Sequence, residues 1–305
     1  MRIFLTGGTG AIGSYAAPAL VAAGHTVSAL ARTPGKAATL RSQGAQPVSV
    51  SLFDCEGLTA AFAGHDAVVN LASALPPAHR MILTSAWTAN HRVRAEGSAN
   101  VVDAALKVGI ARLIQESIVM IYRDGGDRWI DEDWPTDRFP AAAGNHAAEA
   151  SAQRFIDGGG VALTLRFGIF YGLGAAHSEQ IMALARRHIG FQAGRPDSYI
   201  SSIHVADAAS AVVAALEVPS GTYSVVDDQP VTARDNSNAM AAAVGTNTWL
   251  RAPGRAASLL GQRTTSLTRS LRVSNARFQT ATAWKPRYPS VWEGYRAMAG
   301  GRSQQ

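Results

Sequence analysis

The chain has 305 residues, of which 47% are hydrophobic and 16% charged, and its formal net charge is +6. This length and balance predict a folded globular protein with a sizeable core and exclude a disordered chain. The positive charge is spread out, with no basic run of five residues, so we expect no nucleic-acid partner. No apolar run is long enough to cross a bilayer, so we expect a cytoplasmic protein with no membrane partner.

Cysteine and histidine exclude two further classes of site. Cys55 is the only cysteine, so the fold cannot depend on an internal disulfide or on an oxidising compartment. The eight histidines are scattered, with neither an HExxH motif nor a cysteine pair nearby. We therefore expect no bound metal.

The first half of the chain alternates strand and helix patterns. Strands are predicted at residues 2–6, 26–31, 46–52, 67–71, 112–116 and 162–167, and helices at 11–23, 35–43, 54–62, 85–108 and 145–157. Strands separated by helices of this length form βαβ units with a parallel sheet. The almost continuously apolar strand at 67–71 indicates a sheet covered on both faces. The pattern predicts an α/β Rossmann fold with a doubly wound parallel sheet.

The pattern changes after residue 167. Helices are predicted at 180–188, 206–216 and 232–243, with further helical pieces between 254 and 272, and short strands lie among them. We interpret this part as a smaller, mostly helical C-terminal substrate region, with the helix at 206–216 still packed on the sheet. The predicted dinucleotide-binding domain is then 1–172 with 202–226, and the substrate region is 173–201 with 227–305.

A glycine-rich turn joins the first strand to the first helix. Gly7, Gly10 and Gly13 have the GxxGxxG spacing, with Ala11 and Ile12 inside it. Gly7 allows a tight turn, Gly10 lets the backbone approach a pyrophosphate, and Gly13 lets the helix pack closely on the strand. The helix N-terminus offers free N–H groups to the phosphates. In this strand–turn–helix context the motif indicates a bound dinucleotide.

The second strand indicates which dinucleotide is preferred. Sites for NAD usually carry an acidic residue at its end, but here it ends at Arg32, with Lys36 close behind. A guanidinium binds a 2′-phosphate, whereas a carboxylate would repel it, so the sequence favours NADPH over NADH. Arg32 could also be a solvated loop residue. Asp54, after the third strand, could accept a hydrogen bond from the adenine amino group, or cap the following helix, or do both.

These motifs and others along nearly the whole chain resemble the extended short-chain dehydrogenase/reductase family, also called the NAD-dependent epimerase/dehydratase family. The resemblance implies a nicotinamide cofactor and adds Leu71, Ala72, Ser73, Phe167 and Gly168 to its contacts. The segments that carry it are 7–13, Asp54, 70–73, 97–101, 166–172, 203–207 and 274–286.

The family's chemistry rests on four side chains, an Asn, a Ser or Thr, a Tyr and a Lys, in which the tyrosine moves the substrate proton. Counting from the family motifs places other residues at all four positions: Arg94, Ile118, Ala141 and Asn145. Ser117 is one residue from the serine position. A shift of one residue would not restore a tyrosine or a lysine between Arg123 and Phe155.

The resemblance is nearest to ketoreductases of actinomycete antibiotic pathways that lack the tyrosine, of the kind that act on angucyclinones. It implies an NADPH-dependent ketoreductase whose small-molecule substrate is planar and aromatic. The proton would come from water, from Ser73 or Ser117, or from a phenol of the substrate, and Asn145 could bind the cofactor ribose in place of lysine. Aromatic or apolar residues that could line the substrate site are Trp129, Trp134, Phe170, Tyr171, Leu75, Pro76 and Pro77.

Two other functions remain open. A non-catalytic NADP-binding sensor would explain the replacement of all four family residues, since such a regulator needs only the cofactor site. A sugar epimerase or dehydratase requires the tyrosine as a base, which Ala141 does not provide. The sequence does not indicate an oligomeric state.

Overall fold

A computed structural model describes residues 1–77 and 80–302. The strands, in chain order, are β1 (Arg2–Thr6), β2 (Thr26–Leu30), β3 (Gln46–Val48), β4 (Ala67–Asn70), β5 (Arg112–Ile118), β6 (Trp129–Ile130), β7 (Val161–Phe167), β8 (Ile169–Tyr171), β9 (Ile189–Ala193), β10 (Tyr199–Ile200), β11 (Ser202–His204), β12 (Gly221–Val225), β13 (Val231–Thr232), β14 (Leu250–Gly254) and β15 (Arg272–Val273). The α-helices are α1 (Gly13–Ala22), α2 (Pro34–Ser42), α3 (Cys55–Phe62), α4 (Thr88–Arg92), α5 (Ser98–Lys107), α6 (Ala143–Asp157), α7 (Ala176–Ala185), α8 (Val205–Ala214), α9 (Ala233–Ala243), α10 (Thr265–Thr268), α11 (Ala276–Thr282) and α12 (Val291–Arg302).

Seven parallel strands form the central sheet, in the order β12-β7-β5-β4-β1-β2-β3. Ile3 of β1 lies opposite Val27 of β2 on one side and Ala67 of β4 on the other. The order of the strands therefore reverses between β1 and β4, and doubly wound folds bind their ligands at such a reversal, outside the carboxyl ends of the strands. The predicted Rossmann fold is confirmed.

Both faces of the sheet are buried, as its apolar strands predict. Ile3 and Leu5 of β1 point to one face and pack with α1 and α8, through residues such as Leu20. Phe4 points to the other face and packs with α3 and α5, through residues such as Leu58. Because side chains alternate along a strand, each buried strand contributes to both cores.

The helix predicted at 85–108 is not a single α-helix. A 3₁₀ turn at Thr84–Trp87 leads into α4, a π-helical segment at Val93–Gly97 follows, and α5 completes it. Strand β5 is also longer than predicted, because it runs through Ser117 to Ile118 in register with β7. Both segments place a polar residue in the interior near the carboxyl edge of the sheet: Arg94 in the π-helical segment and Ser117 in β5.

The C-terminal region packs helices around its own small core. Met182 of α7, Met240 of α9 and Met298 of α12 meet Tyr171 and Tyr295 there. Short two-stranded sheets, such as β9 with β14 and β10 with β13, accompany these helices. In the part of the chain that the structure describes, no helix combines the length and apolar character needed to span a bilayer.

Candidate active site

The glycine turn has a geometry that only glycine allows at two positions. Gly7 has a φ of +70°, and a Cβ there would lie 2.4 Å from the Leu71 carbonyl oxygen. A Cβ on Gly13 would lie 2.1 Å from the Gly7 carbonyl oxygen, so α1 begins in direct contact with the turn. The Gly10 N–H donates to the Gly7 carbonyl at 2.8 Å. The backbone thus forms a tight cradle against the end of β4.

The first turn of α1 remains open to an anion. Among the described residues, no side chain caps this helix at Ile12, and its first turn carries no acidic residue. Ala11 is exposed beside the turn. The positive end of the helix dipole suits a pyrophosphate, so the residues present fit the predicted dinucleotide.

An open cleft lies beyond the carboxyl ends of β2 and β3. Arg32, which is exposed, and Asp54 both line it. Lys36 is half-buried in the first turn of α2, where its N–H donates to the Thr33 hydroxyl. The Gly57 N–H donates to Asp54 Oδ1 at 2.9 Å, which confirms the capping role of Asp54. Its adenine contact stays a prediction, as do the phosphate contacts of Arg32 and Lys36.

The ends of β4 and β7 supply the other predicted cofactor contacts. Leu71 is buried against the glycine turn, Ala72 is half-buried, and Ser73 is exposed. Phe167 is fully buried at the end of β7. A Cβ on Gly168 would lie 2.8 Å from the Ser201 carbonyl oxygen, so the backbone is also tight there. These residues lie along one edge of the sheet, as the parallel strands require.

A buried polar row crosses the sheet beneath this edge. The Thr6 hydroxyl of β1 donates to Asn70 Oδ1 of β4 at 2.5 Å. Asn70 Nδ2 donates to Gln115 Oε1 of β5 at 2.8 Å and to the Ser98 hydroxyl of α5 at 3.2 Å. These bonds tie three strands and one helix together where β1 and β4 separate.

The start of α6 holds the two positions at which the family's tyrosine and lysine are expected. Ala141 lies in the 3₁₀ turn Pro140–Ala142, and Asn145 lies in the first turn of α6. Asn145 is 1% exposed, and its Nδ2 has no hydrogen-bond partner among the described residues. A buried amide N–H₂ without an acceptor is costly, so this atom favours a ligand or water that accepts from it.

Arg94 and Glu116 form a buried ion pair next to α6. The Arg94 Nη2 donates to Glu116 Oε1 at 2.8 Å, and its Nη1 donates to the Glu116 carbonyl at 3.2 Å. The two side chains are only 2% and 4% exposed. Burial raises the pKa of the Glu116 carboxyl, while the Arg94 charge and hydrogen bond oppose that rise. The π-helical segment carries Arg94, and Gly144 of α6 leaves the space that its side chain occupies.

Ser117 belongs to a second polar cluster. Its hydroxyl donates to Glu149 Oε1 at 2.6 Å, and Arg166 donates to both oxygens of the same carboxylate at 2.9 and 2.8 Å. The Arg166 guanidinium also covers the Tyr122 ring at 4.8 Å. The Ser117 proton is therefore directed at Glu149. Its role as a proton donor to substrate, like that of exposed Ser73, stays a prediction.

Unpartnered polar atoms gather where α4, the π-helical segment and α6 meet. Gly144 of α6 lies against both His91 and Arg94, which brings these elements together. Buried atoms there that have no hydrogen-bond partner among the described residues are Asn90 Nδ2, His91 Nε2, Arg94 Nε, Glu116 Oε2 and Asn145 Nδ2. Most are potential donors, and such a concentration is typical of a ligand site.

The aromatics predicted to line the substrate site mostly have partners within the protein, and their contact with a substrate stays a prediction. Trp129 is 49% exposed, with the Arg272 guanidinium 4.3 Å above its ring. The Trp134 indole N–H donates to the Arg123 carbonyl, and the buried Tyr171 hydroxyl donates to Asp227 Oδ2 at 2.9 Å. The half-buried Phe170 packs against the main core, with its ring tilted by 47° to that of Phe167. Of the apolar candidates, Leu75 and Pro77 are exposed and Pro76 is buried.

Tyr122 and His146 also have structural partners. The buried Tyr122 hydroxyl lies 3.0 Å from the Ser224 hydroxyl. His146 Nε2 lies 2.9 Å from the Asp137 carbonyl oxygen. Burial lowers the pKa of His177, so this imidazole is neutral at physiological pH.

Comparison with known proteins supports a dinucleotide-binding site at the glycine turn. Residues 7–157 match a family model described as NAD(P)H-binding. A 3-diazoavenalumate denitrifying reductase from Streptomyces sp. is 32% identical over 96% of this chain and 99% of its own length. The chain belongs to the extended short-chain dehydrogenase/reductase family. As a member of that family it binds NAD(P)H and is an oxidoreductase.

One further relative and two solved structures are also similar to this chain. A 4-hydroxy-2-methyl-3-oxo-4-farnesyl-3,4-dihydroquinoline-1-oxide ketoreductase from Stigmatella aurantiaca is 33% identical over 51% of this chain and 45% of its own length. The Thermus thermophilus UDP-glucose 4-epimerase with NAD has a TM-score of 0.81, 24% identity and 98% coverage of both chains. The human epimerase family protein SDR39U1 with NADPH has a TM-score of 0.82, 22% identity, and coverage of 98% of this chain and 99% of its own. At these identities the two structures support the fold alone.

The sequence reasoning missed Glu116 and Glu149. It identified Arg94 only as a replacement, because nothing in the local pattern of the helix reveals a partner 22 residues further on. A signal was nevertheless present, since a glutamate falls near the end of a buried strand and an arginine falls inside the helix that precedes that strand. Charged residues are rarely buried unless paired, so each predicts the other.

Proposed function

We propose that this reductase transfers a hydride from NADPH to a planar aromatic substrate and obtains no proton from a side chain of its own. The observation that carries the proposal is the composition of the segment before and within α6. Between Arg123 and Phe155 the sequence contains neither tyrosine nor lysine. At the start of α6, Ala141 and Asn145 lie where the family's acid and its partner are expected.

The residues that would hold NADPH are those of the glycine cradle, the cleft and the start of α6. The glycine turn and the N-terminal end of α1 would bind the pyrophosphate, and Arg32 with Lys36 would bind the 2′-phosphate. The unpartnered Asn145 amide would donate to the nicotinamide ribose. When bound, the cofactor supplies a hydride, and the protein supplies position and a dry site.

For a ketone, the proton has to come from the substrate or from water. Hydride addition forms a C–H bond and moves the carbonyl π pair onto oxygen. A phenol hydroxyl next to that oxygen can transfer its proton to it, and water then reprotonates the phenolate. Ser117 does not suit this role, because its hydroxyl already donates to Glu149. The predicted aromatic ketone therefore remains the first candidate substrate.

A second candidate is an aryl diazonium, favoured by the full-length similarity to the Streptomyces denitrifying reductase. Hydride addition to the ring carbon forms a C–H bond, the C–N bond breaks, and dinitrogen leaves with the bonding pair. This step needs no proton, which suits a site without an acid. A diazonium is a cation, so neutral Asn145 is more favourable beside it than a lysine ammonium would be.

Isotope transfer distinguishes these candidates. The purified protein would be mixed with NADPH deuterated at the transferred position and, separately, with a hydroxyaryl ketone and an aryl diazonium. Deuterium on the carbinol carbon supports the ketone, and deuterium on the aryl carbon with release of dinitrogen supports the diazonium. Tight NADPH binding without turnover of either substrate would contradict the proposal and favour the NADP sensor. An epimerase or dehydratase would instead act on nucleotide sugars with no net use of NADPH.

A further inference from the structure

Three surface segments meet just before α6. The 3₁₀ turn Pro140–Ala142 contacts the 3₁₀ turn Thr84–Trp87, which precedes α4, and it also contacts the 3₁₀ segment Arg255–Arg263 of the C-terminal region. Together with the residues that lead into the first two turns, these segments form a surface that we call the arginine patch, which consists of residues 80–87, 138–142 and 255–263. The patch includes Ala141, which stands where the family's tyrosine is expected.

The arginine patch carries four positive charges and no negative one. Its three segments contain no Asp or Glu, and their arginines are Arg80, Arg138, Arg255 and Arg263. All four are exposed, and in the part of the chain that the structure describes none of them forms an ion pair. Other exposed arginines, such as Arg92 and Arg154, have a carboxylate partner within 2.9 Å. Uncompensated guanidinium groups attract anions and raise their local concentration.

Apolar side chains lie among these arginines. Leu259 is 87% exposed, and Ile82, Leu83 and Leu260 are each more than 40% exposed. The backbone around Leu259 is nevertheless anchored, because the buried Thr264 hydroxyl donates to the Ala257 carbonyl at 2.7 Å. Large apolar side chains held in water on an anchored segment are typical of a ligand-binding surface. The patch therefore suits a ligand that has an anionic group and an apolar body.

The arginine patch is continuous with the site described above. Residue 87 leads directly into α4, which carries Asn90, and residue 142 leads directly into α6, which carries Asn145. Asn90 is fully buried, and its Oδ1 accepts from the Ala74 N–H at 3.0 Å, whereas its Nδ2 has no partner among the described residues. Exposed cations thus lie at the entrance to the helices whose buried donors lack acceptors. This continuity favours the substrate as the ligand of the patch.

We propose that the arginine patch binds a carboxylate of the substrate. This inference rests on the proposed reductase function and narrows its substrate from planar aromatics in general to aromatic carboxylates. The planar fork of a guanidinium matches the two oxygens of a carboxylate, and the neighbouring leucines contact the apolar body. The arginines of the patch are specificity-determining residues. They are separate from Arg32 and the glycine turn, to which we assign the phosphates of NADPH.

The test measures binding without turnover. With NADP⁺ present, which cannot reduce a ketone, 4-acetylbenzoate and its neutral analogue 4-acetylbenzamide would be titrated by calorimetry. We expect the carboxylate to bind about tenfold more tightly at low salt, since one charge-assisted hydrogen bond has this effect. Because exposed charges are screened, that preference should shrink as salt is raised to about 0.5 M.

Three results of this titration would overturn the proposal. They are equal binding of the two compounds, binding of neither, and about tenfold tighter binding of 4-acetylphenyl phosphate, which would assign the patch to a phosphate. The reductase function would stand in each case, because the isotope transfer tests it with other substrates. Conversely, a preference for the carboxylate without any hydride transfer would contradict the reductase function and leave the anion site in place.

Variants locate the binding. A combined variant replaces every arginine of the patch, by Arg80→Gln, Arg138→Gln, Arg255→Gln and Arg263→Gln. We expect its preference for the carboxylate to fall to about onefold, while unchanged NADP⁺ affinity shows that the protein is folded. The matched control removes the same charge from four exposed arginines outside the patch, by Arg41→Gln, Arg186→Gln, Arg187→Gln and Arg296→Gln. A preference retained in the patch variant, or lost equally in the control, would contradict the assignment.

Discussion

The glycine turn and the polar layer formed by Arg94, Glu116 and Asn145 lie at the same edge of the sheet but are built differently. The turn is backbone, and its geometry follows from residues within seven positions of one another. The layer consists of side chains from β5, the π-helical segment and α6, held by a buried ion pair. The comparison shows that the turn depends on backbone geometry, whereas the layer depends on which side chains three separate elements bring together.

The largest effect is expected in the turn. In Gly13→Ala the new Cβ would lie 2.1 Å from the Gly7 carbonyl oxygen, so α1 must move away from the cradle. We expect NADPH affinity to fall by about a hundredfold or more. The matched control is Gly35→Ala, because a Cβ at Gly35, in the first turn of α2, meets nothing within 4 Å among the described residues. Calorimetric titration measures both, and similar affinities in the two variants would contradict the cradle.

The second-largest effect is expected for the buried ion pair of Arg94 and Glu116. Arg94→Met leaves the Glu116 carboxylate buried without its partner, which should lower the free energy of unfolding by about 3–5 kcal/mol. Arg94→Met combined with Glu116→Gln should recover much of that loss, because no charge is then buried alone. Urea unfolding of the single and double variants measures the coupling.

The control for the ion pair lies two residues earlier, at the end of α4. Arg92 pairs with Glu96 at 2.8 Å, but both side chains are about half exposed. Solvent screens this pair, so Arg92→Met should leave stability nearly unchanged. Equal losses in Arg94→Met and Arg92→Met would mean that the layer is no more stabilising than an ordinary surface pair.

A smaller effect concerns the choice of dinucleotide. Arg32→Glu replaces a cation on the cleft rim by an anion that repels the 2′-phosphate, so the ratio of NADPH to NADH affinity should fall about tenfold to a hundredfold. Arg41→Glu makes the same charge change at the other end of α2 and should alter the ratio little. If both variants shift the ratio alike, general surface charge is responsible and Arg32 is not a specific contact.

The smallest effect concerns Asn145. Removing its unpartnered amide in Asn145→Ala should weaken NADPH binding about fivefold, the value of one hydrogen bond, with little loss of stability. Asn100→Ala removes an amide that already donates to the Leu52 carbonyl. That variant should lose stability without losing cofactor affinity. The opposite pattern would show that Asn145 has a structural role.

The sequence predicted the parts that depend on short-range geometry. The glycine spacing, the Asp54 cap and the parallel, doubly wound sheet need only local patterns and the rules of βαβ connection. It did not reveal the Arg94–Glu116 pair, because two elements bring those residues together. The small cavity beyond the carboxyl ends of β5 and β7 is lined by Val119, Gln192 and Leu267, which come from distant segments, and no periodicity in the chain reports such a meeting.

The π-helical segment at Val93–Gly97 has a consequence for how the chain should be aligned. Its wider turn holds one more residue than an α-helical turn, so the helix before it is rotated relative to α5. Residue counts taken backwards from Gly97 therefore do not measure α-helical positions. In a sequence alignment, relatives whose helix is unbroken should show a gap of one residue at this segment. In relatives with such a gap, the residue at the position of Arg94 should face another direction.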